Sequence, residues 1–238
     1  MNKRVGKISS IQTLGTLDGP GVRFVAFLQG CNLSCGFCHN PETQSINGGT
    51  EYTADSLIEK ALRYKEYFGR DGGITVSGGE PLLQADFVKE LFALAHENGL
   101  NTCLDTSGNI INGSVSELLL HCDRVLLDVK YPTEELYLKH TGGSLSKTLE
   151  FLRLASGTGA AVTLRQVIIP GQTDTAESVN FLKSLKKEFS AVDKIELLPF
   201  KKMCAHKYEN MGRTFPFGDI PEPTPEKIRE LEEILKQK

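Results

Sequence analysis

The sequence predicts an α/β fold: a partial, splayed (β/α)6 barrel, with a parallel sheet inside and helices outside. Three observations carry this. Apolar runs of five to eight residues alternate with amphipathic stretches of ten to sixteen along nearly the whole chain. That β-then-α rhythm favours parallel pairing, because each crossover returns the chain to the same sheet. The rhythm repeats about six times, short of the eight units that close a barrel. Finally, the conspicuous polar clusters fall directly after a strand and before a helix, where ligands gather in parallel α/β folds. A doubly wound open sheet is the competing topology. The 238 residues suffice for one sizeable core, and a single domain over residues 1–238 is expected, with no linker or internal repeat.

Each element has its own signal. Val5–Thr13 reads as an opening strand outside the repeat, and Gly15–Gly21 (G-T-L-D-G-P-G) as turn chemistry. Val22–Leu28 is a Val- and Phe-rich strand. Thr53 caps a helix to about Phe68, with Leu57, Ala61, Tyr64 and Phe68 on one face. Gly73–Ser77 is the next strand, followed by Gly78-Gly79-Glu80-Pro81 and a helix from about Ala85 to Asn98 that Gly99 stops. Leu100–Asp105, Arg124–Val129, Val162–Ile169 and Lys194–Leu198 are the remaining strands. Between them lie helical stretches near Ser114–His121, Thr133–Thr141 and Ser144–Ala155. A further helix runs to about Phe189, opened by Asp174 with Glu177 as a capping box. Pro199–Pro223 is irregular, and Thr224-Pro225 opens a last helix carrying Ile228, Leu231, Ile234 and Leu235.

Composition excludes several classes. With 27 basic and 30 acidic residues the net charge is −3, which offers nucleic acid no basic footprint. No apolar run approaches the ~20 residues of a membrane span. Met1-Asn2-Lys3-Arg4 is followed by Val-Gly-Lys-Ile-Ser-Ser rather than an apolar stretch, so no signal peptide is expected and the location is read as cytoplasmic. Six cysteines in a chain of this length make no disulfide framework. Nothing resembles a coiled coil, and a monomer is expected.

Three of those cysteines, Cys31, Cys35 and Cys38, stand in C-x3-C-x2-C spacing within the loop Gly30–Asn40. Three cysteines within eight residues cannot all serve one core, so they converge on a shared thiophilic centre. Three thiolates leave a four-coordinate centre one ligand short, as at a catalytic site. His39 would complete a structural zinc site, and on spacing alone that alternative stays open.

Taken together, the stretches D-G-P-G-V-R-F, Q-G-C-x3-C-x2-C-H-N, S-G-G-E, C-L-D-T-S-G, L-D-V-K, V-I-I-P-G and K-I-E-L-L-P-F resemble the radical S-adenosylmethionine (SAM) superfamily. Within it they resemble the activases of glycyl radical enzymes of the pyruvate formate-lyase type, which work in anaerobic glucose metabolism. The resemblance covers nearly the whole chain. It implies a [4Fe–4S] cluster on Cys31, Cys35 and Cys38, with SAM chelating the fourth iron, and an oxidoreductase that takes hydrogen from one glycine of its protein partner.

It also implies roles for single residues. Phe37 and His39 flank the cluster near SAM, although Phe37 is equally an ordinary packing residue. Gly78, Gly79 and Glu80 meet the SAM amino group, where the bland reading is a strand-to-helix turn. Lys130 and Arg165 face the SAM carboxylate and ribose, Asp128 and Val129 are cofactor-binding beside them, and Arg165 has a structural alternative in pairing with Asp128 or Glu196. His206 reaches the nucleoside. Asp105, Thr106 and Asp128 hold a monovalent cation, unless Asp105 merely caps its turn. Asp18 stands at the entrance where the substrate peptide docks, or simply closes an Asx turn. The implied partners are pyruvate formate-lyase, offering a glycine loop, and reduced flavodoxin or ferredoxin as electron donor. Pro41–Thr53 runs straight into a helix without an extra cysteine-rich insertion, which favours the pyruvate formate-lyase type. The alternatives are another glycyl radical partner or a small-molecule substrate.

Overall fold

The computed structural model describes residues 4–237; the expectations for Met1–Lys3 and Lys238 lie outside the described residues. In chain order the elements are β1 (Val5–Gly15), β2 (Arg23–Leu28), β3 (Thr50–Thr53), α1 (Ala54–Leu62), α2 (Lys65–Phe68), β4 (Gly73–Gly78), α3 (Ala85–Glu97) and β5 (Asn101–Thr106). There follow α4 (Gly113–Leu119), β6 (Arg124–Asp128), α5 (Glu134–Thr141), α6 (Leu145–Ser156), β7 (Ala161–Ile168), α7 (Ala176–Glu188), β8 (Val192–Pro199), α8 (Ala205–Asn210) and α9 (Pro225–Lys236).

The strands form one sheet in the order β3-β1-β2-β4-β5-β6-β7-β8. From β2 to β8 every neighbouring pair is parallel. Those six strands follow one another in chain order, as a wound (β/α)6 barrel requires and a doubly wound sheet does not. β1 and β3 extend the sheet antiparallel beyond β2. The strand β3 is an addition to the expected set.

Local chemistry explains the element ends. Thr53 caps α1 by accepting from the Ser56 amide at 3.2 Å. The helix expected to reach Phe68 breaks at Tyr64, where φ is −111° and ψ 6°. Thr175, not Asp174, caps α7, accepting from the Ser178 amide at 3.1 Å. Asp174 instead accepts from the Gly171 amide and closes the preceding turn. The residues expected to be irregular after β8 contain α8.

The interior is apolar beneath the helices, where Leu91, Phe92, Leu118, Phe151 and Leu182 are fully buried. Inside the barrel it is polar. Arg23 is fully buried at the start of β2, and its guanidinium donates to the Pro20, Asp71, Ile74 and Asn101 carbonyls, Thr75 Oγ1 and Asn101 Oδ1. Thr75 Oγ1 in turn donates to the Asp18 carbonyl at 2.7 Å. The D-G-P-G turn is thereby fastened to the inner wall formed by β4 and β5.

Candidate active site

The cysteine loop leaves the C-terminal end of β2 through Gly30 at φ +99°, a conformation open to glycine. Its base is closed by Gln29, whose side-chain amide donates to the Glu42 and Ser45 carbonyls at 2.9 and 2.7 Å. The far side is tied to the end of α5, where the Ser34 and Gly36 amides donate to the Thr141 and His140 carbonyls. Tyr208 of α8 donates its hydroxyl to the Cys38 carbonyl at 3.1 Å. So held, Cys31, Cys35 and Cys38 all line one cavity. Burial pushes the Cys31 thiol up to about 11 and the Cys35 thiol to about 12, and it raises Cys38 as well. Without metal these groups are neutral thiols.

His39 lines the same cavity, but its Nε2 lies 3.0 Å from the Lys201 carbonyl. A carbonyl only accepts, so Nε2 carries the proton. Burial lowers the ring's pKa and favours the neutral form. Among the described residues, no three His, Cys, Asp or Glu side chains are placed to share a single metal ion. Three thiols spread around a cavity suit a cluster, in which each binds a different iron.

The wall opposite comes from the ends of β4 to β7. Gly78 adopts φ +107°, and a Cβ on Gly79 would stand 2.0 Å from the Gly30 carbonyl oxygen. The Gly-Gly turn therefore lies directly against the root of the cysteine loop, with the Gly79 and Glu80 amides donating to the Leu28 and Gly30 carbonyls. Glu80 is buried beneath. Its carboxylate accepts from Thr106 Oγ1 (2.6 Å), the Leu82 amide (3.1 Å), the Ser107 amide (3.0 Å) and Ser107 Oγ (2.5 Å). Burial raises its pKa, and these four donors oppose the rise. The Glu80 side chain thus ties β4 to β5 and leaves the turn's backbone to meet a ligand.

Asp105 accepts from Ser77 Oγ at 2.7 Å and lies 3.5 Å from Arg165. Burial pushes its pKa up, against the pull of Arg165. Asp128 accepts from Lys130 Nζ at 2.6 Å and lies 3.4 Å from Arg165 Nε. Burial opposes its ionisation, but Lys130 and Arg165 together hold it below the usual carboxylate range. Burial likewise works against the Lys130 cation, and Asp128 more than compensates, raising the ammonium's pKa. Lys130 also sits 5.8 Å above the Phe37 ring.

The structure brings together Cys31, Cys35, Phe37, Cys38, His39, Gly78, Gly79, Glu80, Asp105, Thr106, Asp128, Lys130 and Arg165 around this cavity. Three other sequence candidates are not among its lining. Val129 is buried, its amide donating to the Arg165 carbonyl. His206 is exposed on α8, with Nδ1 2.8 Å from the Met203 carbonyl. Asp18 lies half-buried in its turn, where burial and Asp105 raise its pKa while Arg165 and Arg23 lower it. Sequence reasoning missed Ser77 and Ser107. Both stand beside motif residues, in S-G-G-E and T-S-G, and their adjacency to strand ends was a usable signal.

A cluster and SAM fit these residues. Asp128 Oδ1, Arg165 Nε and Arg165 Nη1 are buried without a hydrogen bond and meet only as loose ion pairs, Arg165 with Asp128 at 3.4 Å and with Asp105 at 3.5 Å. Hydrogen-bonding capacity left over in buried groups suits a ligand, and a carboxylate and guanidinium suit one that carries both an amino and a carboxylate group. The three thiols supply an incomplete thiolate set beside them.

The fold and this site define a class: the chain belongs to the radical SAM superfamily, whose description matches residues 25–182. It is 41% identical over 234 residues to the pyruvate formate-lyase-activating enzyme of Clostridium pasteurianum, with 98% of each chain covered. It is 36% identical over 236 residues to the pyruvate formate-lyase 1-activating enzyme of Escherichia coli K12, covering 98% of this chain and 96% of that one. Among solved structures, SuiB of Streptococcus suis bound to precursor peptide SuiA aligns with a TM-score of 0.67 at 18% identity. The alignment covers 87% of this chain but only 43% of the SuiB chain. A domain of pyruvate-formate lyase-activating enzyme from Bacteroides vulgatus aligns at 0.57 and 18% identity, covering 69% of this chain and 93% of that one. These structural likenesses establish the fold. No helix among the described residues is long and apolar enough to cross a membrane.

Proposed function

We propose that this chain activates pyruvate formate-lyase by installing a glycyl radical. The observation that carries the proposal is three thiols lining one cavity together with Lys130, Arg165, Asp105 and Asp128, in a chain similar at near full length to such activases. When bound, the [4Fe–4S] cluster and SAM supply a 5′-deoxyadenosyl radical able to take a hydrogen atom from a glycine Cα.

The chain's residues position and shield. Cys31, Cys35 and Cys38 would hold the cluster, with Phe37 and His39 beside it. The Gly78-Gly79 backbone would meet the SAM amino group, and Lys130 and Arg165 its carboxylate. Asp105 and Asp128 remain the candidates for a monovalent cation; the Thr106 hydroxyl is committed to Glu80, leaving that residue its backbone carbonyl. Asp18 would contact the partner's glycine loop at the entrance, from its place in the D-G-P-G turn, and His206 would reach SAM only by leaving its present surface position. Reduced flavodoxin or ferredoxin is the proposed electron donor. The setting is cytoplasmic, and the working form is a monomer with residues 1–238 as one domain.

The test is anaerobic incubation of cluster-loaded protein with SAM, a low-potential reductant and pyruvate formate-lyase, read by EPR. A glycyl radical doublet is expected, absent with Cys35→Ala. SAM cleavage without any radical on the partner would remove the proposed substrate.

A further inference from the structure

The cysteine loop has an outer face as well as the inner one that borders the cavity. Phe37, inside the C-x2-C segment, meets Tyr131 and Phe217 with ring centroids 6.1 and 6.0 Å apart. His140 stacks on Tyr131 at 5.0 Å and meets the edge of Phe217 at 5.8 Å. Phe217 continues to Phe200 at 6.3 Å, Phe200 to Phe215 at 6.2 Å, and Phe215 to Tyr208 at 4.9 Å. Of these rings only Phe37 lines the cavity. The others pack around Phe37 and the loop without lining the cavity.

Contact with the loop's backbone is close. A Cβ on Gly36 would stand 2.3 Å from the Phe217 ring, so glycine at this position lets the edge of that ring approach the chain between Cys35 and Cys38. The Phe217 ring is 8% exposed although it belongs to a connecting segment, and Tyr208 is 1% exposed. The segment is pinned at both ends. The Phe200 amide donates to the Ile168 carbonyl, Lys202 Nζ donates to the Gly218 carbonyl, and Glu222 holds Lys201 and the Lys202 amide. Aromatic side chains bury much area at small entropic loss, which suits a cover that must stay shut.

We propose that residues 200–218 form an aromatic lid over the cysteine loop, centred on Phe217, that keeps oxidants and water from the cluster the loop holds. The proposal rests on the cluster being held by Cys31, Cys35 and Cys38. Phe217 is here a positioning and shielding residue, in contact with the loop and not with substrate. A surface loop that merely stabilised the fold would affect apo-protein unfolding without changing how fast a loaded cluster decays.

The experiment compares wild type, Phe217→Ala and Phe217→Leu after anaerobic reconstitution. Each is exposed to air-saturated buffer, and separately to an iron chelator, while the iron–sulfur absorbance is followed. Apo-protein urea midpoints are measured alongside. Phe217→Ala should lose its cluster about tenfold faster, equivalent to about 1.4 kcal/mol of lost closure, with Phe217→Leu between it and wild type. Equal decay rates in wild type and Phe217→Ala overturn the lid. If Phe217→Ala does not fold, Phe217→Leu decides by the same criterion. Failure of the cysteine assignment is recognised separately, because Cys35→Ala would then take up a full cluster.

Discussion

Replacing Arg23 by methionine removes a buried cation while keeping much of its volume, and the consequence can be worked from its contacts. The guanidinium makes six hydrogen bonds, to Thr75 Oγ1, Asn101 Oδ1 and the carbonyls of Pro20, Asp71, Ile74 and Asn101. Methionine would strand the buried acceptors these bonds satisfy, at about 1–3 kcal/mol for each one left without a partner, while sparing the desolvation of a buried ion, itself several kcal/mol. Breaking a buried charged network by removing one member costs about 3–5 kcal/mol, and Arg23→Met is predicted to lower stability by that amount. Arg23→Lys should recover only part, since an ammonium lacks the planar fork that reaches all six acceptors. The assay is anaerobic urea unfolding of the apo-protein, in which the midpoint should fall at unchanged slope. A loss under about 1 kcal/mol for Arg23→Met would show that the network adds little beyond an ordinary side chain.

Gly79→Ala should destabilise the apo-protein and weaken SAM binding together, because its Cβ would meet the Gly30 carbonyl oxygen at 2.0 Å; normal unfolding and normal SAM affinity by calorimetry would refute this. Lys130→Met leaves Asp128 with Arg165 as its remaining cation and should reduce stability by about 3 kcal/mol, read from the same urea midpoints. The pH dependence follows from Cys31 and Cys35, whose thiols hold their protons to about 11 and about 12 when folded, against an ordinary value of 9.0. Raised folded pKa values stabilise the protonated apo-protein; the effect is whole below pH 9 and is lost as pH rises toward 11 and then 12. Relative to a Cys31→Ser, Cys35→Ser variant, the wild-type apo-protein should therefore weaken as pH climbs above 9; parallel curves would contradict the burial of these thiols.

The six parallel units were legible because each strand and helix announces itself locally, through apolar runs and caps such as Thr53 and Thr224-Pro225. The placing of Gly78-Gly79, Asp105 and Asp128 at one mouth followed from their position at strand ends, whereas Arg165 stands inside β7 and joins them through its register with Asp128. What was illegible is non-local. β3 is four residues long and becomes a strand only by pairing with β1. The cover over the cysteine loop draws on positions from Tyr131 to Phe217, with no periodicity to reveal it. Glu80 reads as a ligand in its motif, yet three-dimensional proximity gives its side chain to Thr106 and Ser107. At Asp174 and Thr175 both residues can cap, and the choice depended on Gly171 claiming the aspartate.

The lateral ties between strand ends, Ser77 to Asp105 and Glu80 to Thr106 and Ser107, make the site's inner wall rigid before any ligand arrives. A wall already in its final arrangement spares an incoming molecule the entropy of ordering it. It also links neighbouring strands, because a change at Glu80 strands three donors on the next strand's turn.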